Sequence, residues 1–141
     1  MSSNLGAVGF RLMHLIEVNL RDTEISSELV DGTLCVFRPV YDKPTATTYG
    51  MKSAVHVFKR GPCFRRLYCV EQYDNADDLV KFSISLTDEN KIGLGEWHLD
   101  ISHGLHTHPI VGGKKSKEHV SYPRGVADMA MDIVAAIKAG L

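Results

Sequence analysis

The stretch from Leu79 to Thr87, LVKFSISLT, limits the fold more than any other. Val80, Phe82, Ile84 and Leu86 alternate with Lys81, Ser83, Ser85 and Thr87, the two-residue period of a strand with one buried face and one wet face. Asp88, Glu89 and Asn90 supply a turn, so KIGLGEWHLDIS is expected to return beside it as an antiparallel partner. A sheet with one apolar face needs a second layer to cover that face.

The C-terminal segment provides such a layer. Val126, Met129, Ile133 and Ile137 recur at helical spacing, and Lys138 and Gly140 stand where a helix should end. Pro123 suits a first helical turn, with Ser121 upstream as a capping residue. Two more strands, SAVHVFK and FRRLYCV, flank Arg60, Gly61 and Pro62 and read as a hairpin. A further strand is expected in TLCVFRPV after the turn signal of Asp31 and Gly32, and YDKPTATTYG reads as an exposed loop. Residues 8 to 20 fit a helix in their first half, with Leu12, Leu15, Ile16 and Asn19 on one face, passing into extended chain. Together these predict a single α+β domain over residues 1–141, an antiparallel sheet of about five strands with the C-terminal helix packed on one face.

The 141 residues are 44% hydrophobic and 23% charged, and no window approaches the roughly 20 apolar residues of a membrane helix. Arg11, His14 and Glu17 interrupt the N-terminal apolar residues, so no secretory signal is read and a cytoplasmic protein is expected. Cys35, Cys63 and Cys69 are odd in number and form no C-x-x-C, and they read as reduced structural cysteines. A net charge of −1 argues against bulk coating of nucleic acid, although residues 51 to 70 are basic and residues 71 to 90 acidic.

The chemistry lies between Glu96 and His119, where five of the seven histidines fall: His98, His103, His106, His108 and His119. Imidazole both carries protons near neutral pH and binds transition metals. In the strand phase set by Trp97, Leu99 and Ile101, the residues Glu96, His98 and Asp100 share the other face. Downstream, His106 and His108 of H-T-H-P point the same way in extended chain until Pro109 breaks the run. Two imidazoles and a carboxylate, His106 and His108 with Asp100 or Glu96, would make a three-ligand site with an open position for a divalent ion such as zinc. Without metal, His98, His103, His106 and His108 remain candidates for acid and base work, with Glu96 and Asp100 beside them. Lys114, Lys115 and Lys117 follow two glycines in VGGKKSK and, with His103, are the candidate substrate-binding residues, suited to phosphate oxygens. The P-loop spacing is absent, and a solvated hairpin is the alternative for this segment.

Two resemblances rest on these residues. KFSISL, the strand ending WHLD, the loop ISHGL, HTH, IVGGKK and the final helix occur in an order that resembles the TumE-like toxins of bacterial toxin–antitoxin pairs, over roughly residues 80 to 139. That resemblance implies a toxin neutralised by an antitoxin partner and acting on RNA or translation, with Asp100, His106 and His108 matching the family's polar site. GLHTHP also resembles the start of the JAMM (JAB) metalloisopeptidase motif. Ser116 falls at its serine position and His119 at its aspartate position, which implies His106, His108 and His119 as metal ligands. A non-enzymatic module that sequesters a host protein or small ligand is the third reading that the balanced composition allows.

Overall fold

The computed structural model describes residues 5–21, 24–31, 38–40, 50–74, 78–100, 103–139 and 141. Helix α1 (Leu5–Leu20) opens the chain. The strands β1 (Ser26–Asp31), β2 (Arg38–Val40), β3 (Gly50–Arg60), β4 (Cys63–Tyr73), β5 (Leu79–Thr87), β6 (Gly93–Asp100) and β7 (Gly104–Thr107) follow. After them come the short strands β8 (Ile110–Val111), β9 (Lys114–Lys115) and β10 (Val120–Ser121), then helix α2 (Val126–Lys138).

Among the described residues eight strands form one sheet in the order β1-β3-β4-β5-β6-β7-β10, with β2 also paired to β3, while β8 and β9 form a separate hairpin. All the pairings are antiparallel. The α+β class, the antiparallel sheet and the covering C-terminal helix are as the patterning predicts, but the sheet exceeds the five strands expected. The additional strands, β1, β7 and β10, are too short or too polar to show a period of two. Of the strand expected in TLCVFRPV, the segment 38–40 is β2, and residues 33–37 and most of the loop 41–50 lie outside the described residues.

Cross-strand partners point to the same face, which fixes both layers. Leu67, Leu86 and Gly95 lie in line across β4, β5 and β6, as do Cys69, Ile84 and Trp97, and beyond them Phe82, Leu99 and Leu105. This face is sealed by Leu12, Met13, Ile16 and Leu20 of α1 and by Met129, Ala130, Ile133, Val134 and Ile137 of α2. Each large apolar side chain removed from water here contributes roughly 1.5–3 kcal/mol. The two helices also pack against each other, α1 over β5 and β6 and α2 over β6 and β7.

Three local expectations are corrected. The helix in residues 8 to 20 does not pass into extended chain but runs to Leu20, because Leu20 is buried in the core cluster and Met13 packs on Cys69 of β4, burial that a local pattern cannot reveal. Leu79, not Val80, enters the core, since Tyr73 pairs with Leu79 after Gln72 pairs with Lys81 and Val80 is the extra residue of a bulge. Helix α2 begins at Val126 with Gly125 at its cap, not at Pro123. Ser121 pairs with His106 in β10, and the Tyr122 amide donates to the Leu105 carbonyl, so strand pairing holds the residues that would otherwise cap the helix. Among the described residues no helix is long and apolar enough to cross a membrane.

Candidate metal centre

The helices cover one face of the sheet, and His98 and His106 stand on the other. Glu96, His98 and Asp100 alternate away from the buried Trp97 and Leu99 on β6. His98 lies directly opposite Ser83 on β5 and His106 on β7, so adjacent strands place the two imidazoles side by side. Beyond β7 the His108 amide donates to the Glu96 carbonyl, 3.1 Å away, keeping the chain against β6 for one more residue. Pro109 then leads into the β8–β9 hairpin, whose turn residues Gly112 and Gly113 both have positive φ, 60° and 76°. Two successive residues in that region make the tight turn whose twist suits a two-residue hairpin. The hairpin packs against β6 and returns the Ser116 amide to the Pro109 carbonyl at 2.8 Å.

All five histidines of the segment meet. Ring centroids of His98, His106 and His108 are 4.7 to 5.3 Å apart. His119 lies 4.4 Å from His108, 4.7 Å from His106 and 4.4 Å from His103. His98, His106 and His108 retain only 4%, 1% and 7% of their accessible surface, whereas His103 and His119 are exposed. Buried polar rings in such numbers need partners.

Those partners sort the ring nitrogens. The Nδ1 of His106 lies 3.1 Å from the Gly104 carbonyl, and the Nδ1 of His108 lies 3.0 Å from the Ser116 carbonyl. A carbonyl only accepts, so both nitrogens carry hydrogen and each Nε2 keeps its lone pair. The Nε2 of His98 lies 3.2 Å from a carboxylate oxygen of Glu96, whose other oxygen accepts from the Ser85 hydroxyl at 2.7 Å. With that hydrogen on Nε2, the lone pair of His98 is at Nδ1. One nitrogen from each of His98, His106 and His108 lies within 4.8 Å of those of the other two.

The electrostatics keep lone pairs available. Burial lowers the pKa of His106, and the neighbouring His98 and His108 lower it further against the Gly104 hydrogen bond and Asp100. Burial also lowers His108, with His98, His119 and Lys115 acting in the same direction against the Ser116 carbonyl. Burial alone would raise the carboxyl of Glu96, but hydrogen bonds from His98 and Ser85 and the charges of His98 and Lys115 bring it below its ordinary value. The result is a carboxylate at Glu96 and a shift of His106 and His108 towards the neutral form.

Of the residues singled out in the sequence, His106 and His108 come together as expected of an H-x-H. The third imidazole beside them is His98, and Asp100, close enough for its charge to act on His106, accepts from the His103 amide at 2.6 Å with its oxygen 3.5 Å from the His103 Nδ1. His119 and His103 form a second grouping with His106, again with one nitrogen each within 4.8 Å. Lys114, Lys115 and Lys117 are exposed on and just after β9. The Gly104 and Ser116 carbonyls could not have been found from sequence, since any residue type supplies that group. Cys63 and Cys69 are free thiols outside the cluster, and Cys69 is buried against Met13. Comparison of the chain with protein-family models, curated proteins and solved structures finds no match.

Proposed function

We propose that the protein is a metal-dependent hydrolase whose centre is His98, His106 and His108, holding one divalent ion of the zinc class. The observation that carries this reading is the fixing of all three imidazoles by oxygen acceptors at their second nitrogens, Glu96 for His98, Gly104 for His106 and Ser116 for His108. Metal-ligating histidines are held in this way because the outer acceptor sets the tautomer and raises the basicity of the coordinating nitrogen. Three neutral nitrogen ligands leave a fourth position for water or substrate, and an ion there supplies Lewis-acid chemistry to an oxygen atom.

Lys115, whose charge acts on His108 and Glu96, and its exposed neighbours Lys114 and Lys117 favour an anionic substrate, and a phosphodiester is the class that uses both features. RNA cleavage would fit the likeness to the TumE-like toxins and would bring with it an antitoxin partner. The test is metal content followed by turnover. Purified wild type loaded with zinc, cobalt or manganese is expected to hold about one ion per chain and to hydrolyse bis(p-nitrophenyl) phosphate or single-stranded RNA. The double variant His106→Ala/His108→Ala should lose both properties. An ion retained by that variant, or none in the wild type, removes the metal centre, while an ion bound with no turnover leaves a binding module in place of an enzyme.

A further inference from the structure

The exposed histidines raise a separate question, because His103 and His119 are not needed to complete the buried group. Together with His106 they satisfy the same geometric condition as the inner three, each offering one nitrogen within 4.8 Å of the others. Asp100 lies at ion-pair distance from the Nδ1 of His103, leaving the Nε2 of that ring for a ligand. His106 belongs to both groups, yet its Nδ1 is committed to the Gly104 carbonyl, so it has a single lone pair to offer.

We infer that His103, His106 and His119 form a second, outer position for a borderline divalent transition-metal ion, and that the ion enters the buried centre through it. This inference rests on the reading of His98, His106 and His108 as a metal centre. One lone pair on His106 means that the two positions are filled in alternation, not together. The outer position is the accessible one, with His103 and His119 exposed and the inner nitrogens shielded. The transfer is a ligand exchange in which His106 stays bound throughout. His103 and His119 are released as His98 and His108 are gained. The hand-over is short, since His119 stands 4.4 Å from His108 and 4.7 Å from His106, centroid to centroid. The ion never loses all its nitrogen ligands, so the cost of complete rehydration between positions is avoided. Nitrogen ligands select zinc, cobalt, nickel or copper over magnesium and calcium, which prefer oxygen.

The test uses the full chain and zinc or cobalt ions alone. Stopped-flow mixing of metal-free wild type with zinc, followed by chelator-driven release, gives both rate constants, and titration gives the stoichiometry. In His103→Ala/His119→Ala both rate constants are expected to fall by about tenfold or more while the stoichiometry remains near one ion per chain. In His98→Ala/His108→Ala, with folding verified by circular dichroism, cobalt should still bind to the outer group, at least about tenfold more weakly than to wild type. Unchanged rates in the first variant overturn the entry role whatever the second variant does. Two ions bound per wild-type chain overturn the sharing of His106. A wild type that binds no ion overturns the metal centre itself, and this inference with it.

Discussion

His98 on β6 and His106 on β7 are directly paired in the antiparallel register, with ring centroids 5.3 Å apart at a steep interplanar angle of 75°. Opposed positions on neighbouring strands are set by the backbone ladder, so this half of the centre is as rigid as the sheet. His108, beyond the strand end, depends instead on the Glu96 and Ser116 carbonyls.

Glu96 is expected to act on the ion through His98. Glu96→Gln preserves size and an acceptor oxygen but removes the charge, and it should weaken zinc binding by about tenfold, within the range found for outer-sphere partners of metal ligands. Competition against a chromophoric chelator measures this. Equal affinities for the two proteins would mean that the carboxylate serves only to satisfy Ser85 and the strand.

The lysines after the hairpin turn should act on substrate and not on metal. Replacing Lys114, Lys115 and Lys117 with Gln should flatten the dependence of log K for single-stranded RNA on log salt by about 2, from a slope of roughly −0.7 per phosphate contact. Metal content should remain that of wild type. Binding isotherms at four salt concentrations decide the matter, and an unaltered slope would assign these lysines to solvent.

The metal-free protein should lose stability in mild acid. His56 is 5% exposed, its Nε2 has no hydrogen-bond partner, and burial lowers its pKa below 6.5. His106 and His108 are lowered as well, burial being the largest cause in each. These three histidines therefore take up protons below about pH 6.5 in the unfolded chain, and only at lower pH in the folded one. Stability is at its full value above the unfolded pKa and falls as pH drops towards the lower folded values. Urea midpoints between pH 7.5 and 5 should show this decline, and His56→Leu should make it shallower. A midpoint independent of pH over that range would contradict the assignment.

Gly95 should tolerate no side chain. A Cβ there would sit 2.1 Å from the Trp97 ring, which is anchored by its Nε1 to Asp132 and Tyr122 at 3.1 and 3.2 Å. Gly95→Ala has to displace the indole and is expected to cost about 1–3 kcal/mol. Trp97 is the only tryptophan in the chain, so its fluorescence reports both the displacement and the unfolding transition. A variant with wild-type stability and emission would show that the ring moves freely.

What could be read in the sequence was what repeats locally. The alternation of Phe82, Ile84 and Leu86 gave the central strand and, through Trp97 and Leu99, the face on which His98 stands. Met129, Ile133 and Ile137 gave the covering helix. The edge strands were illegible because β10 has only two residues and β1, with Ser26, Ser27, Glu28 and Asp31 among its six, is too polar to show a period. His98 was on the expected face, but its choice over Asp100 as neighbour to the H-x-H depends on the register of β6 against β7, and register is a tertiary property. The approach of His119 depends on a hairpin turn and on β10 pairing with β7, neither of which leaves a mark on the spacing of the histidines.

The Ser116 carbonyl closes the β8–β9 hairpin onto His108, and the Ser116 amide closes the hairpin's own base on Pro109. Unzipping the hairpin would therefore also free the Nδ1 of His108, the ring proposed as the third ligand. A bound ion would act as a clasp, and slow hydrogen exchange at the Ser116 amide would report how tightly it is fastened.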